Sequence, residues 1–315
     1  MIPAGDPRIQ VLGVWHHSED NITTIYPGSQ LRFSLLGHGH VNMDAVEDGN
    51  MRVVVKANGT PVWEGAPHGS VDINAPTSTV SFAICYAATG VQGFDPLGKD
   101  AGGAELHFRG ITLEQGSNLS AIEPCANKVM MEFIGDSITA GVHIHGRAGS
   151  GLTNSDACLT YGALLAESLG AGFRIRGYPG VSCETLADRI PYSRKGIPLE
   201  RDQSIRFVFL DSGANERVKD RETYSIGMRR TVDAVRSTYP GAKVVLLNFF
   251  RMTPNRWPAL LALARSYPNE EVVCFDARPF LVGYTDEGIH PDVESHRRLA
   301  EALAKFMEPM MVGVR

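Results

Sequence analysis

The pattern of apolar residues changes near residue 128, and this change constrains the fold more than any other feature of the chain. Before it, short runs with apolar residues at every second position are separated by Gly, Pro and Asn; these runs are 30–37, 51–59, 79–87 and 104–116. After it, continuous apolar runs alternate with segments of helical length. We therefore predict an all-β domain over residues 1–122 and an α/β domain over residues 123–315.

The first domain is predicted to be a β-sandwich of the jelly-roll type. Val, Ile and Phe enrichment with alternating polarity is typical of antiparallel strands packed in two layers. The pair Asn58-Gly59 favours a tight hairpin. The run 104–116 is predicted to be the last strand, and residues 117–128, with their Ser, Asn and Pro, the connection to the second domain.

The second domain is predicted to contain a mostly parallel sheet with helices on both faces, which gives three layers. The predicted strands are 128–134, 173–178, 205–212, 242–250 and 271–275. The predicted helices are 159–170, 223–240, 256–268 and 292–307. Asp292 is suited to cap the last helix.

Four polar segments lie where predicted strands end or where the last helix begins; they are 135–137, 177–182, 211–216 and 287–291. Ligands of an open parallel sheet bind beyond the carboxyl ends of its strands. Together the segments offer a hydroxyl, a glycine amide, a carboxamide and an imidazole beside acids. Acyl transfer needs such a set, because a serine requires a histidine to take its proton and the developing oxyanion requires N–H donors.

The same residues resemble a known family. The sequence GDSIT around Ser137, the glycine of GVS at Gly180, GAN ending at Asn215, and the His-Pro pair at His290 resemble the ordered blocks of the SGNH (GDSL-type) hydrolases. The resemblance covers about residues 128–315. An all-β module before such a domain resembles the carbohydrate esterase family 2 group of sugar O-deacetylases.

The resemblance implies a role for each block. Ser137 is expected to be the nucleophile and His290 the general base. The amides of Ser137 and Gly180 and the side chain of Asn215 are expected to form the oxyanion hole. No metal or cofactor is implied.

Two positions depart from the family pattern. Glu216 follows Asn215 where the family usually has Asp. The family's late Asp, three residues before the histidine, is replaced by Glu287, and Asp286 is adjacent. Glu287, Asp286 or a backbone carbonyl could therefore orient the imidazole of His290.

Three further residues are predicted to contact the substrate. Trp257 could stack on a sugar ring, or anchor the following helix to the core. Arg251 precedes it in the same segment and could meet a polar substrate. His143 follows the serine block closely and is expected to line the pocket.

Each site residue also has an ordinary structural interpretation. Ser137 could cap a following helix, and His290 could be a structural histidine. Gly180 could be a turn glycine, and Asn215 could hydrogen-bond its own turn. The acids Asp286 and Glu287 also suit the first turn of any helix.

We expect a serine esterase that removes short acyl groups, acetyl above all, from a carbohydrate. The first alternative is an esterase, thioesterase or lysophospholipase acting on another acyl ester. The second is a carbohydrate-binding protein with a silent hydrolase domain, in which Glu216 and Glu287 mark lost catalysis. The chain has no GxSxG motif, which argues against the α/β-hydrolase arrangement of the same chemistry.

Composition and short motifs argue against several other functions and partners. The net charge is −5 and the basic residues are scattered, so a nucleic acid is not an expected partner. The apolar runs are too short to span a membrane, and the N-terminus lacks the features of a signal peptide, so a cytoplasmic protein is expected unless a leader has been removed. The five cysteines form no CxxC pair, and the pairs His38/His40 and His143/His145 lack a third ligand, so no metal site is expected. The sequence gives no oligomeric state.

Overall fold

A computed structural model describes residues 1–46, 50–90, 104–122, 129–146, 151–194, 196–200, 202–216, 221–249, 256–285 and 288–312. The N-terminal part is an antiparallel sheet of ten strands. In chain order they are β1 (Ile2–Pro3), β2 (Gln10–Leu12), β3 (His16–His17), β4 (Ile22–Thr24), β5 (Gln30–Val46), β6 (Met51–Ala57), β7 (Thr60–Gly65), β8 (His68–Thr89), β9 (Glu105–Leu113) and β10 (Asn118–Ser120). Their order is β3-β4-β9-β5-β8-β6-β7, with β1 beside β9 and with β2 and β10 beside β5.

The long strands β5 and β8 build the sandwich. Their pairing shifts once, between the pairs Leu35↔Val80 and Gly37↔Ala75. Apolar residues from both sides of this shift belong to one core; they include Leu31, Phe33, Val41, Met43, Val71, Ile73, Phe82 and Ile84. The sheet thus encloses a single core, and the predicted β-sandwich is confirmed.

Local details of the first domain agree with the sequence prediction in one place and differ in another. Asn58 and Gly59 form the two-residue turn between β6 and β7, with φ angles of 48° and 82°, as a primed hairpin turn requires. The prediction that 104–116 is the last strand is wrong, because Asn118–Ser120 pairs with β5 as β10. A domain boundary at residue 122 stays a prediction.

The C-terminal part contains a parallel sheet in the order β12-β11-β15-β16-β17. Its strands are β11 (Met130–Gly135), β12 (Gly172–Gly177), β15 (Ile205–Asp211), β16 (Lys243–Asn248) and β17 (Val272–Asp276), and a small hairpin consists of β13 (Tyr192–Arg194) and β14 (Ile197–Pro198). The helices are α1 (Gly151–Asn154), α2 (Tyr161–Ser168), α3 (Cys183–Leu186), α4 (Arg221–Thr238), α5 (Arg256–Arg265) and α6 (Val293–Met311). Short 3₁₀ turns occupy Ala157–Leu159, Ala187–Arg189, Pro268–Glu270 and Arg278–Phe280. All five predicted strands and all four predicted helices are confirmed.

Alternate residues of this sheet face opposite cores, because side chains of a strand alternate between its two sides. On one side, α2 and α6 cover a core that includes Phe133, Phe173, Phe209, Leu247, Leu299 and Leu303. On the other side, α4 and α5 cover a core that includes Ile134, Val208, Leu210, Met228, Val232 and Leu260. The three-layer arrangement is therefore confirmed.

The first domain packs against the edge strand β12. The backbone N–H of Gly13 donates to the carbonyl of Phe173 at 2.9 Å. Val14, Ile25 and Tyr26 of the first domain lie within the core beneath α4 and α5. The two domains therefore share apolar core as well as hydrogen bonds.

Candidate active site

Ser137 and His290 are 153 residues apart in sequence and meet at the carboxyl edge of the parallel sheet. His290 Nε2 lies 2.8 Å from Ser137 Oγ. Both residues are largely shielded from solvent, with 8% and 9% of their surface exposed. An imidazole at this distance can accept the hydroxyl proton.

Ser137 sits in a tight turn directly after β11. The side chain of Asp136 accepts a hydrogen bond from the N–H of Ile138 at 2.9 Å, which bends the chain as the strand ends. Residues 137–145 form successive turns. Ser137 therefore does not cap a helix.

His290 is held by a loop whose two ends are hydrogen-bonded to each other. The N–H of Thr285 donates to the carbonyl of His290 at 2.9 Å, and the N–H of Asp292 donates to the carbonyl of Gly283 at 3.2 Å. The side chain of Asp292 accepts from the N–H of Ser295 at 2.8 Å, so the predicted helix cap is confirmed. The rigid start of α6 thus fixes the position of the imidazole.

The acid that would orient His290 is not decided by this geometry. Asp286 and Glu287 both lie outside the described residues. Their assignment stays a prediction.

The predicted oxyanion donors lie on the loops after the neighbouring strands. The side-chain N–H groups of Asn215 donate to the carbonyl of Val181 at 3.1 Å and to Asp136 Oδ2 at 3.4 Å. Asn215 therefore links the loop that carries Gly180 with the turn that carries Ser137. To serve an oxyanion, Asn215 would have to share or release one of these bonds.

Gly180 lies in a turn with a φ of +81°, a conformation that glycine adopts without strain. An added Cβ would meet no protein atom within 4 Å, so this position borders open space. Its role in the oxyanion hole stays a prediction.

Glu216, the first departure from the family pattern, joins three segments. Its Oε1 accepts from the N–H of Cys183 at 3.0 Å and from the hydroxyl of Ser212 at 3.2 Å. Its Oε2 accepts from Arg256 Nη1 at 3.2 Å. Glu216 therefore ties the loop of Asn215 to the starts of α3 and α5. Sequence reasoning missed Arg256, because a buried arginine at a helix start has no sequence signature.

Buried carboxyl groups lie beneath the site. Burial, with a contribution from the charge of Glu216, raises the pKa of Asp136 to about 7. Burial and the charge of Asp136 raise the pKa of Asp211 well above its ordinary value, although Thr139 donates to Asp211 Oδ2 at 3.2 Å. The two aspartates therefore disfavour being ionised together.

A second buried histidine, which sequence reasoning also missed, supports the site. His296 of α6 accepts a hydrogen bond at Nδ1 from the N–H of Tyr161 at 3.1 Å, and the two rings stack. Burial lowers the pKa of His296 to about 3. His296 is therefore a neutral acceptor that joins α2 to α6.

His143, predicted to line the pocket, lies beside His290. Its ring is 5.4 Å from that of His290, edge to face. Its φ is +53°, which is uncommon outside glycine, and its N–H donates to Ser155 Oγ at 3.2 Å. The neighbouring segment thus holds His143 in an unusual backbone conformation.

The β-sandwich reaches this segment through Arg52 of β6. The Arg52 guanidinium donates to the carbonyls of Leu152 and Ser155, each at 2.9 Å, and to Asp156 Oδ2 at 3.0 Å. Because Ser155 accepts from the N–H of His143, the first domain buttresses the turns that follow Ser137.

Two further residues, Trp257 and Arg251, are predicted from the sequence to contact the substrate. Trp257 lies in the first turn of α5, half-buried against the core beneath α4 and α5. This position provides the anchoring contact, and stacking on a sugar stays a prediction. Arg251 lies outside the described residues.

The part of the chain that the structure describes contains no group of three or more His, Cys, Asp or Glu side chains that could hold a metal ion. Within the same residues, no helix is both long and apolar enough to cross a membrane.

Comparison with known proteins finds a family match within the C-terminal part of the chain. A family model described as the GDSL-like lipase/acylhydrolase family matches residues 133–298. The comparison with curated proteins gives no significant match.

Several solved structures are similar over nearly the whole chain. A family two carbohydrate esterase from Cellvibrio japonicus is 20% identical with a TM-score of 0.82, covering 100% of this chain and 98% of that one. A family two carbohydrate esterase from Clostridium thermocellum, solved with cellohexaose, is 17% identical with a TM-score of 0.79, covering 98% and 100%. The acetyl xylan esterase Est2A from the rumen bacterium Butyrivibrio proteoclasticus is 14% identical with a TM-score of 0.78, covering 96% and 95%. The TM-scores and the coverage show a shared fold, and the predicted resemblance to SGNH hydrolases of the carbohydrate esterase family 2 type is confirmed.

Proposed function

The chain belongs to the GDSL-like lipase/acylhydrolase family, whose members hydrolyse carboxylic esters, and we propose that it is a serine esterase removing short acyl groups, acetyl above all, from a carbohydrate. The observation that carries this proposal is the 2.8 Å distance between Ser137 Oγ and His290 Nε2. A serine hydroxyl is a weak nucleophile at neutral pH, and an imidazole within bonding reach activates it.

The reaction proceeds in two halves. Ser137 Oγ attacks the ester carbonyl while His290 takes its proton, and His290 then protonates the leaving sugar alkoxide. This leaves an acyl group on Ser137. Water, deprotonated by His290, attacks that group, and the carboxylic acid leaves as Ser137 regains its proton.

The negative oxygen formed in each half requires N–H donors. The amides of Ser137 and Gly180 and the side chain of Asn215 are the proposed set, and one donor of this kind typically contributes ~3 kcal/mol. Asn215 is suited to this role because it bridges the Gly180 loop and the Ser137 turn.

The substrate class is inferred from the architecture. The three similar structures described above are carbohydrate esterases, one solved with cellohexaose and one an acetyl xylan esterase, and the likeness includes the β-sandwich as well as the α/β domain. An acylated carbohydrate is therefore the proposed partner. Hydrolysis of another acyl ester is the main alternative.

The second alternative, a silent carbohydrate-binding protein, has less support. Glu216 is fully engaged in tying down the oxyanion loop, so this departure does not by itself indicate lost catalysis. The close contact of Ser137 with His290 also favours an active enzyme.

Hydrolysis of 4-nitrophenyl acetate tests the proposal. Ser137→Ala is expected to lower the rate at least a thousandfold, whereas Ser18→Ala, at an exposed turn of the sandwich, leaves it unchanged. Equal rates for wild type and Ser137→Ala would remove the enzyme proposal. A series of acyl chain lengths, followed by acetate release from acetylated xylan, then tests the substrate; a preference for long chains would favour the lipase-like alternative.

A further inference from the structure

Two cysteines from different domains meet where the β-sandwich contacts the α/β domain. Cys85 belongs to β8, and Cys158 belongs to the 3₁₀ turn Ala157–Leu159. Both are free thiols in the same small buried cluster, with 2% and 6% of their surface exposed. The Cys158 thiol donates to the carbonyl of Tyr86, the residue that follows Cys85, at 3.7 Å.

The pair lines a pocket of about 320 Å³ at the domain junction. Lys56, Arg32 and Glu167 line the same pocket, and Arg32 pairs with Glu167 at 3.8 Å. The pocket therefore brings the thiols next to a polar space that a small molecule can enter, with the basic side chain of Lys56 beside it.

The two thiols differ in acidity. The neighbouring Cys158 thiol, and then the charge of Lys56, lower the pKa of Cys85 despite its burial. The neighbouring Cys85 thiol, together with burial, raises the pKa of Cys158 well above its ordinary value. Of the two thiols, Cys85 is therefore the more readily ionised.

We propose that Cys85 and Cys158 are a peroxide-reactive pair that closes to a disulfide linking the β-sandwich to the α/β domain. The Cys85 sulfur attacks one oxygen of hydrogen peroxide and becomes a sulfenic acid as water leaves. The Cys158 sulfur then attacks the Cys85 sulfur, and the hydroxyl leaves as a second water with the Cys158 proton. The two thiols are oxidised by two electrons, and one peroxide is reduced to two waters.

The bond would act on the segment that supports the active site. The N–H of Cys158 donates to Asp156 Oδ1 at 2.9 Å, and the N–H of Asp156 donates to the carbonyl of Gly141 at 2.9 Å. Gly141 lies in the turns that follow Ser137. Oxidation therefore ties the sandwich covalently to the base of the catalytic loop.

Mass spectrometry of the full chain tests the pair. After hydrogen peroxide treatment and digestion with trypsin without reductant, peptide 57–99 should be joined to peptide 148–174, with two hydrogens lost and with reversal by dithiothreitol. The oxidised protein should also unfold at a higher temperature than the reduced protein. Sulfinic acid without a cross-link, or a cross-link to Cys125, Cys183 or Cys274 instead, would overturn the proposal.

Matched variants distinguish the reaction of Cys85 and Cys158 from general oxidation of the cysteines. Cys85→Ser and Cys158→Ser should each abolish the cross-link, whereas Cys274→Ser should keep it. Since either serine could disturb the buried cluster, Lys56→Gln provides a second test in which both thiols remain. It should slow cross-linking at least threefold relative to Lys305→Gln, whose lysine is exposed on α6. Equal rates for the two lysine variants would contradict Cys85 as the reacting thiolate.

Discussion

Glu216 and Arg256 form an ion pair at 3.2 Å, and their side chains are only 1% and 9% exposed. The pair holds the loop that ends with Asn215 against the start of α5. Glutamate fits here because its longer side chain also accepts from the N–H of Cys183. The glutamate that replaces the family's usual aspartate thus secures the loop that ends with Asn215.

Breaking this pair should affect both stability and turnover. Glu216→Gln removes the carboxylate charge that pairs with the buried Arg256, so the free energy of unfolding should fall by about 3 kcal/mol. Because the Asn215 loop loosens, kcat for 4-nitrophenyl acetate should fall about tenfold with little change in KM. Chemical denaturation and steady-state kinetics measure the two effects.

The exposed ion pair Arg230–Asp188 provides the control, since Asp188→Asn should lower the free energy of unfolding by less than about 1 kcal/mol. Similar losses of unfolding free energy in Glu216→Gln and Asp188→Asn would contradict the role of Glu216.

The acid that orients His290 can be located by replacing Glu287 and Asp286 separately. Glu287 occupies the family position, three residues before the histidine. We expect Glu287→Gln to lower kcat about a hundredfold or more, because the imidazole loses its orienting partner, while Asp286→Asn has little effect. A large loss of kcat in Asp286→Asn with little effect of Glu287→Gln would assign the role to Asp286. Full activity in both variants would leave a backbone carbonyl as the group that accepts the hydrogen bond from the His290 imidazole.

The buried His296 predicts a specific dependence of stability on pH. Its pKa is about 3 in the folded protein and near 6.5 when unfolded, so the unfolded chain binds more protons between these values. This contribution to stability is therefore present above about pH 6.5 and is lost as pH falls toward 3, by up to about 1.4 kcal/mol per pH unit.

The variant His296→Asn isolates this effect. The asparagine oxygen can accept the hydrogen bond from Tyr161 but does not titrate. The difference in unfolding free energy between wild type and variant should shrink steadily as urea denaturation is repeated from pH 7 to pH 4. Other titrating groups, including Asp136, are common to both proteins, so their contributions cancel in this difference. A difference independent of pH would show that His296 is not neutral and buried as described.

Trp257 can be tested for sugar stacking separately from its packing. Trp257→Leu keeps an apolar contact with the core but removes the indole face. If the indole stacks on the sugar, KM for an acetylated xylo-oligosaccharide should rise about tenfold, corresponding to ~1.4 kcal/mol, while KM for 4-nitrophenyl acetate stays constant. A parallel change for both substrates would indicate only the anchoring role.

The parallel sheet and the order of the site blocks could be predicted because each depends on local sequence. The mostly apolar run that ends at Gly135 is short and is followed by turn residues, which favours a buried strand over a helix. The polar residues that follow them must then share one edge of the sheet. The meeting of Ser137 with His290 follows from that topology, although the sequence alone does not give their distance.

The parts that could not be predicted depend on tertiary contacts. β5 continues through Gly37 and β8 continues through Pro76, because a shift in pairing absorbs residues that usually end a strand. The buried partners Arg256 and His296 are polar residues within helices, and only the packing of those helices reveals what they contact.

Covalent labelling of the nucleophile tests the central claim most directly. An excess of a fluorophosphonate ester should modify the full chain once, and peptide mass spectrometry should place the adduct on Ser137, since His290 activates that hydroxyl alone. His290→Ala should react at least a hundredfold more slowly at the same residue. An adduct on another serine, or equal labelling rates in wild type and His290→Ala, would contradict the pairing of Ser137 with His290 as the source of activity.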